Sequence, residues 1–453
     1  MRRAARLPAA LAFALVLLVA CVVVLDRRAR TRPASGPRTE ITLLRMFGSC
    51  SDEYTGVTDL SRAVGECGVI QVLTNAFNAE NDQGISVRTQ TIEWSAYYDR
   101  LSAMYAAGNP PDVAVMHRSV LPDFVARDLV LPLARDLEDA GVDFGDYVDP
   151  ARQAVTIRGE VYALPFDFHA LLWHVNLDLM AKAGLVDARG AARLPSSPEE
   201  LFAHAAQMKR RTGKHYLAIP SQTDPMPTWT LETWIWQQGG DVLSPDGRSA
   251  RLSTPQAITA LSLLNALYRE GHADRGLDYA RAEQAFLSGE AAVLINGTWV
   301  VERYDAQANS GAAALRHYGV YTVPTLFSRR AAWADSHIWV LPRHGHPDPR
   351  KHRAAVAFLR YLHDHGLNWA KTGHLPVRSS VLASEAFQAL PHRADYEGTA
   401  RIARALPPIQ NQRAIQDVIV EEINATWHLG RTPAEGLEEA QSRVDEILKR
   451  AAR

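Results

Sequence analysis

The sequence predicts an α/β fold in which mainly parallel sheets are covered by helices. Two observations carry this prediction. Short apolar, strand-like runs alternate with amphipathic helical runs, and Gly, Pro or Asn turn signals separate them. The composition agrees, because 453 residues with 47% hydrophobic and 22% charged side chains describe an ordinary globular chain. Since domains usually span about 100–200 residues, the length predicts roughly two or three structural units.

The charge balance argues against one class of partner. The chain has 49 Lys and Arg against 50 Asp and Glu, which gives a net charge of −1. Nucleic-acid binding needs a clear excess of Lys and Arg on one face. We therefore expect no nucleic-acid partner, and a neutral small molecule or another protein instead.

The N-terminal residues predict export or membrane anchoring. Three Arg within the first six residues precede an unbroken apolar run over 9–25. Its length favours an uncleaved membrane anchor, because signal-peptide cores span about 7–15 residues and membrane helices about 17–25. Residues 18–21 (LVAC) instead resemble a bacterial lipobox, in which Cys21 would be lipidated. Lipoprotein, membrane anchor and free export stay open, and each places the body in the periplasm or on the outer face of the cytoplasmic membrane.

Residues 26–39 complete a segment, 1–39, that we assign to signal or anchor and tether. Four Arg within 27–32, followed by Pro33 and Pro37, leave this stretch too few apolar residues to pack. With Cys21 placed at the membrane, Cys50 and Cys67 remain as an even pair in an oxidising compartment. We predict a Cys50–Cys67 disulfide, and two separate buried thiols are the alternative.

The N-terminal part of the body predicts a βαβαβ order. Strands are expected at 41–47, 85–92 and 112–116, alternating with helices at 69–77, 97–107 and 121–126. In such sheets ligands bind outside the carboxyl ends of the strands. The loops that begin near Gly48, Glu93 and His117 are therefore expected to face a ligand.

The alternation continues beyond residue 160. Further strands are expected at 162–166, 171–175, 217–220, 291–296, 318–323 and 337–341, and further helices at 177–183, 198–211, 255–268, 280–287 and 353–363. From about residue 378 the chain is predicted to be almost wholly helical. It closes with an amphipathic helix at 437–447.

The sequence lacks the common catalytic motifs. Nucleotide-binding glycine loops, the H-E-x-x-H zinc motif, C-x-x-C and the G-x-S-x-G elbow are all absent. The His pairs at 344/346 and 363/365 are two residues apart, whereas side chains on one helix face are three or four apart. We therefore expect no catalytic residue, no metal site and no cofactor.

Aromatic residues stand beside polar ones at several predicted loops. Among ten Trp, four lie where a strand or helix begins or ends: Trp94, Trp229, Trp299 and Trp333. Sugar-binding sites combine flat aromatic platforms with polar groups that bind hydroxyls. Candidate polar groups are Asp167, His169, Asn296, Asp335, Ser336 and His337. Residues 296–299 (NGTW) carry the strongest signal, because Gly297 allows close backbone approach directly before a Trp. Core packing is the alternative for any single Trp.

Six segments, in this order, resemble the carbohydrate-type extracellular solute-binding proteins of ABC importers, a broad family that includes maltose-binding and glycerol-3-phosphate-binding proteins. The segments are 108–113 (GNPPDV), 162–185 with YALPF, LWHVN and KAGL, 197–201 (SPEEL), 286–299 with FLSGEAA and GTW, 369–378 (WAKTGHLPVR) and 432–437 (TPAEGL). The resemblance covers about residues 40–450.

The resemblance implies a two-lobed, type II periplasmic-binding-protein fold. The N-terminal lobe would comprise 40–163 plus 326–374, and the C-terminal lobe 166–322 plus 376–453. The ligand would lie in the cleft between them. Its contacts to both lobes would favour a closed form, which the membrane permease of the importer reads. The chain is expected to act as a monomer and to have no enzymatic activity.

The resemblance also assigns ligand-binding residues. Trp94, His117, Asp335 and Ser336 would line the first lobe, and Asp167, His169, Trp229, Gly297, Thr298 and Trp299 the second, with His374 and Arg378 at the crossing between lobes. Trp229 and Trp299 are expected to stack on sugar rings. Asp167 and Asp335 are expected to accept hydrogen bonds from sugar hydroxyls.

Three other functions stay open. A phosphorylated or acidic polyol could be held by Arg378 or Arg413 together with His117. A glycosidase would need paired carboxylates, for which Asp167 and Asp335 are the candidates. A ligand sensor that feeds a membrane partner has the same sequence features as an importer component.

Overall fold

The computed structural model describes residues 38–221, 224–311 and 314–451. The predicted leader, the lipobox and Cys21 lie outside these residues. The strands are β1 Thr39–Arg45, β2 Ile85–Thr91, β3 Val113–His117, β4 Thr156–Ile157, β5 Glu160–Val161, β6 Leu164–Pro165, β7 His169–Asn176, β8 His215–Ala218, β9 Ala291–Gly297, β10 Tyr318–Thr322, β11 Ala332–Asp335, β12 His337–Val340 and β13 Ala403–Arg404.

Helices fill most of the remaining described chain. They are α1 Gly65–Glu80, α2 Trp94–Ala106, α3 Leu121–Ala126, α4 Ala134–Asp139, α5 Asp149–Val155, α6 Leu177–Ala183, α7 Pro198–Thr212, α8 Met226–Gln237, α9 Pro255–Arg269, α10 Tyr279–Leu287, α11 Val301–Asn309, α12 Pro349–Asp364, α13 Gly366–Ala370, α14 Ser379–Leu382, α15 Glu385–Gln388, α16 Arg393–Tyr396, α17 Gln412–His428 and α18 Pro433–Ala451. Short 3-10 turns lie at Leu60–Arg62, Phe144–Asp146, Thr298–Val300 and Glu397–Arg401. In the described ranges, no helix combines the length and apolarity needed to cross a membrane.

Two sheets organise the molecule into two α/β lobes. The first has the strand order β2-β1-β3-β12-β6, and the second β13-β11-β7-β9-β8 with β10 paired to β7. In the first sheet β1 runs parallel to β2 and β3, but β12 runs antiparallel to β3 and β6. In the second, β7 runs antiparallel to β9, β10 and β11. The two-lobed α/β fold is as predicted, but both sheets are mixed, so the expectation of mainly parallel sheets is corrected.

The chain passes between the sheets at three places. It leaves the first sheet after β6 and enters the second at β7, and it returns between β11 and β12, with only Ser336 intervening. At the third place an isolated bridge joins Phe168 to Leu375. Because β11 pairs with the second sheet, residues 332–335 belong there, whereas the predicted limit at 326 assigned them to the first lobe.

Each sheet is embedded in its own hydrophobic core. Within the described residues, one large cluster of buried apolar side chains surrounds the first sheet and another surrounds the second. Helix α8 is buried along nearly its whole length in the second cluster. Helix α8 was not predicted from the sequence, because it is buried on nearly all sides and its sequence has no clear amphipathic period.

The predicted disulfide is confirmed. Cys50 and Cys67 are bonded, with Cα atoms 6.0 Å apart. The fully buried Arg45 lies beneath this loop, and its Nη1 donates to the carbonyl oxygen of Gly48 at 2.8 Å. The bond therefore fixes the loop that follows β1 against the start of α1.

Candidate ligand-binding cleft

Two adjoining cavities lie at the carboxyl ends of the strands, between the lobes. The larger has a volume of about 490 Å³ and the smaller about 200 Å³. Residues that line both are Trp94, Ser95, His117, Pro225 and Trp229. Small-molecule sites usually measure about 300–1,000 Å³, so the larger cavity has the size of a small-molecule site.

Elements of both lobes position the lining residues. Trp94 begins α2, just after β2, and His117 ends β3. From the other lobe, Trp229 lies on α8 and Trp299 on the 3-10 turn that follows β9. Trp94, His117 and Trp299 thus lie at or just after strand ends, whereas Trp229 is presented by a helix.

Aromatic rings form one wall of the cleft. Trp229 stacks on Trp333 with ring centroids 3.9 Å apart, and meets Trp299 edge to face at 6.3 Å. The Trp299 Nε1 donates to the hydroxyl of Tyr279 at 3.0 Å. A Cβ on Gly297 would lie 1.9 Å from the Trp299 ring, so only glycine lets the indole take this position. These contacts hold the rings rigidly before any ligand binds.

The larger cavity is acidic and aromatic. Its acidic lining residues are Glu66, Glu93, Asp224 and Asp278, and none of the described residues that line it is Lys or Arg. Burial raises the pKa of Asp224 to about 6 and that of Glu66 to about 7. Carboxyl groups can bind hydroxyls in either protonation state, and those that are ionised would repel a phosphate or carboxylate ligand.

The smaller cavity carries both signs of charge. Arg118 and Arg413 line it together with Asp335 and Glu232. Arg118 pairs with Asp335 at 3.4 Å, whereas Nη1 of Arg413 is buried without a hydrogen-bond partner. Oε2 of Glu232 is likewise buried and unpartnered, and burial next to Asp335 raises the pKa of Glu232 to about 8.

A buried cluster of one carboxylate and three imidazoles adjoins the larger cavity, and two of its members, His169 and His337, line that cavity. The cluster consists of Asp167, His169, His337 and His374. The Asp167 carboxylate is within hydrogen-bonding distance of Nδ1 of His337, at 2.7 Å, and Nδ1 of His169, at 3.2 Å. Imidazole and carboxylate are ligands for transition metals, so these four residues are the ones that could hold a metal ion.

Burial and mutual charge set the protonation of this cluster. Burial alone would raise the pKa of Asp167, but the neighbouring His337 and His374 hold that pKa well below its usual range. Burial lowers the pKa of His169 and of His374. For His337 the nearby Asp167 outweighs burial and raises the pKa. The cluster therefore contains an ionised carboxylate among imidazoles of which His337 most readily holds a proton.

The structure brings only some of the predicted binding residues to the cleft. Trp94, His117 and Trp229 line both cavities, His169 and Trp299 line the larger one, and Asp335 lines the smaller one. Both Asp335 oxygens already accept hydrogen bonds, from the Ser119 hydroxyl at 2.6 Å and from the Ser336 backbone N–H at 2.8 Å.

The other predicted binding residues lie elsewhere. Neither cavity is lined by the fully buried Asp167, Thr298 and His374. The buried Ser336 lines neither cavity either. Gly297 lies behind the Trp299 ring. Arg378 borders a separate small cavity and pairs with Asp146 at 2.8 Å. The assignment of Asp167 as a direct hydroxyl acceptor and of Arg378 as a ligand contact does not fit these positions.

Several cleft residues were not assigned from the sequence. Glu232 lies on α8, which was itself not predicted. Glu66 lies at the start of α1, and Tyr279 begins α10 directly after its N-cap Asp278. An N-cap followed by an aromatic residue was a detectable signal for Tyr279, whereas nothing local distinguishes Glu66 or Glu232 from surface glutamates.

Hydrogen bonds cross the cleft on two sides. On one side the Glu302 carboxylate accepts from the backbone N–H of Gly65. On the other, Oδ1 of Asp123 accepts from the N–H of Asn411 at 2.7 Å, and Arg118 donates to the carbonyl oxygen of Leu406 at 3.2 Å. The lobes therefore contact each other around the cavities.

Comparison with known proteins identifies the family. The family model described as bacterial extracellular solute-binding protein matches residues 73–395, more than half of the chain. A protein of Brucella abortus (strain 2308), named only as a candidate binding protein, is 27% identical over 254 residues, which are 55% of this chain and 58% of that protein. The match thus spans little more than half of that relative's length.

Two further similarities cover nearly the whole chain. The sn-glycerol-3-phosphate-binding periplasmic protein UgpB of Escherichia coli (strain K12) is 21% identical over 418 residues, 85% of this chain and 91% of that protein. The GacH receptor of Streptomyces glaucescens GLA.O, whose structures are unliganded and in complex with acarbose and an acarbose homolog, aligns with a TM-score of 0.77 at 18% identity. It covers 91% of this chain and 99% of the receptor. The two lobes, the cleft between them and the family match agree, and the chain belongs to the bacterial extracellular solute-binding proteins.

Proposed function

We propose that this protein captures a neutral sugar or short oligosaccharide outside the cytoplasm and delivers it to the permease of an ABC importer. The observation that carries the proposal is the larger cavity. It combines the indoles of Trp94, Trp229 and Trp299 with carboxyl groups, and the described residues around it include no Lys or Arg. Aromatic faces pack on the C–H faces of sugar rings, and carboxylates accept hydrogen bonds from hydroxyls.

Closure of the lobes around a ligand would let the permease distinguish the ligand-bound protein from the free one. Ligand contacts to Trp94 in one lobe and to Trp229 in the other favour the conformation in which both reach the ligand at once. The cross-cleft hydrogen bonds of Glu302 and Asp123 would form in that same conformation. The permease would then recognise the closed form. The chain would act as a monomer on the outer face of the cytoplasmic membrane, held there by a lipidated Cys21 or by an uncleaved N-terminal anchor.

The geometry favours binding over catalysis. A glycosidase needs two carboxyl groups on either side of the scissile bond, about 5–10 Å apart. Of the candidate pair, Asp167 is fully buried and its oxygens contact His169, His337 and Trp369. Asp335 is occupied by Ser119 and Ser336. We propose that the protein is not an enzyme.

One observation supports a second candidate ligand, a phosphorylated or acidic polyol. Arg413 lines the smaller cavity with a buried, unpartnered Nη1, which could bind an anionic oxygen. The similarity to UgpB, named for glycerol 3-phosphate, points the same way. Arg378, the other Arg considered for this role, is paired with Asp146 instead.

Ligand screening by thermal stability and Trp fluorescence tests the proposal. The full chain is mixed with neutral mono- and disaccharides, polyols, glycerol 3-phosphate and sugar phosphates. A bound ligand raises the melting temperature, and Trp94, Trp229 and Trp299 should change emission when the cleft fills. We expect a response to neutral saccharides. A response to phosphates alone would replace the sugar proposal with the second candidate.

A further inference from the structure

The cluster of Asp167, His169, His337 and His374 has features that sugar binding does not use. All four side chains are buried, and one possible ligand atom from each lies within 4.8 Å of the ligand atoms of the other three. Burial of three imidazoles around one carboxylate is costly unless each polar atom has a partner.

Strand register explains how these residues meet. His337 begins β12 and stands opposite His117 of β3, and His169 begins β7 and stands opposite Asp335 of β11. The bridge between Phe168 and Leu375 brings the third passage of the chain, with His374, to the same point. The four residues therefore come from the three places where the chain passes between the lobes.

One imidazole lacks the hydrogen bond that burial demands. Nδ1 of His374 is 2.7 Å from the hydroxyl of Thr372, but its Nε2 is fully buried and has no hydrogen-bond partner. This Nε2 lies 3.6 Å from Asp167 Oδ2 and 3.3 Å from Glu66 Oε1. An unpartnered ring nitrogen that faces two carboxylates is placed as a metal ligand would be.

Outer contacts orient the carboxylate and the imidazoles. The indole Nε1 of Trp369 donates to Oδ2 of Asp167 at 2.7 Å, and the backbone N–H of His337 donates to Oδ1 at 2.9 Å. The Thr372 hydroxyl holds His374 from the far side of its ring. Metal-binding imidazoles and carboxylates are characteristically held by such second contacts.

We propose that Asp167, His169, His337 and His374 form a site for one divalent transition-metal ion, best matched by Zn²⁺, which ties together the three chain passages between the lobes. Three nitrogen ligands and one oxygen ligand suit Zn²⁺ in four-coordinate geometry. With bonds of about 2.0–2.2 Å, tetrahedral ligand atoms lie about 3.3–3.6 Å apart. The ligand atoms all lie within 4.8 Å of one another, so the distances between them have to close by at most roughly 1.5 Å on binding.

Metal binding at this cluster can be separated experimentally from ligand binding in the cleft. His169 and His337 belong both to the cluster and to the lining of the larger cavity, but metal binding has its own readout, so a failure to bind sugars would leave it untouched. A metal at this point would stabilise the folded chain and restrict movement at the lobe crossings. Its binding can be measured without any sugar or permease.

Metal titration of the full chain tests the proposal. The protein is stripped with a chelator, dialysed, and titrated with Zn²⁺ by calorimetry and with Co²⁺ by visible absorption. We expect one ion per chain, a Co²⁺ spectrum with the intense visible bands of four-coordinate nitrogen and oxygen ligation, and a higher melting temperature with Zn²⁺.

Variants identify the ligands. The double change His169→Gln with His337→Gln should weaken Zn²⁺ binding by at least roughly 100-fold. His363→Gln is the matched control, since His363 is also a buried histidine and contacts Tyr147, outside the cluster. If the double variant fails to fold, the Co²⁺ spectrum of the unmodified chain decides whether a four-coordinate metal site is present. A spectrum of hydrated six-coordinate Co²⁺, no binding, or equal binding by the double variant would each overturn the proposal.

Discussion

The indole of Trp229 stacks on the indole of Trp333 with ring centroids 3.9 Å apart and planes inclined by 14°. Trp333 is buried and Trp229 is half-buried. One face of Trp229 is therefore covered by protein, and only the other face can meet a ligand. Helix α8 carries Trp229 and strand β11 carries Trp333, so the stack joins two elements of the second lobe into one rigid wall.

Removal of this platform should weaken ligand binding. Trp229→Ala is expected to reduce affinity for a neutral saccharide by about 1–3 kcal/mol, because a buried aromatic anchor is lost. Trp229→Phe keeps a ring against Trp333 and should lose less. Calorimetric titration of both variants against the wild-type chain measures the difference. Equal affinity in all three proteins would remove Trp229 from the binding surface.

The Gly297→Ala substitution should disturb binding through Trp299. The added Cβ would lie 1.9 Å from the Trp299 ring, so the indole has to move and its hydrogen bond to Tyr279 is strained or lost. We expect a loss of saccharide affinity comparable to that of Trp299→Ala, together with a changed near-UV circular dichroism spectrum. Gly345→Ala is the control, because no atom lies within 4 Å of its added Cβ. An unchanged spectrum and affinity in Gly297→Ala would contradict this role.

Glu232 should make stability depend on pH. Burial raises its pKa from the ordinary 4.5 to about 8, and the nearby Asp335 adds to the rise. Between these values the folded protein holds a proton that the unfolded chain has released, so stability falls as pH increases through this window, by about 1 kcal/mol per pH unit. Glu232→Gln should remove that fall.

Urea unfolding at pH 5.5 and pH 7.5 measures the effect of Glu232. The difference in free energy of unfolding between Glu232→Gln and wild type should grow with pH in favour of the variant. Glu93→Gln, an exposed position on the larger cavity, is the control. If the free energy of unfolding changes with pH in the same way for wild type and Glu232→Gln, the Glu232 carboxyl has the same pKa in the folded and the unfolded chain, which would contradict the prediction.

The Cys50–Cys67 bond should stabilise the fold. The bonded residues are 17 positions apart, and closing a loop of this length in the unfolded chain contributes about 3 kcal/mol. Reduction, or Cys67→Ser, should lower the free energy of unfolding by about that amount. Cys21→Ser is the control because it leaves the bond intact. Stability that is equal with and without reductant would contradict a stabilising role.

Local sequence signals predicted most strands and helices but not how they pair. Helix α6 begins and ends at the predicted residues, because Asn176 caps its start and Gly184 its end. The direction of β12 was not predictable, since it depends on where the chain returns to the first sheet after β11. Helix α8 was missed because it is buried on all sides.

The residues around the cleft differ in the same way in how far local sequence locates them. Trp94 and His117 lie at the ends of predicted strands, which is a local property of the sequence. The cluster that includes Asp167, His337 and His374 was not predicted, because its members are distant in sequence and the fold brings them together. The pairing of Arg378 with Asp146 was not predicted either, since nothing in the sequence shows that these two residues meet.

Calorimetric titration of the full chain with neutral saccharides and with glycerol 3-phosphate, at low and at high salt, distinguishes a sugar-binding cleft from an anion-binding one. We expect a neutral saccharide to bind with one site per chain and an affinity that hardly changes with salt, because the larger cavity offers aromatic faces and carboxyl groups rather than Lys or Arg among its described lining residues. Binding of glycerol 3-phosphate alone, with an affinity that falls as salt increases, would contradict this expectation, as would no binding of any saccharide.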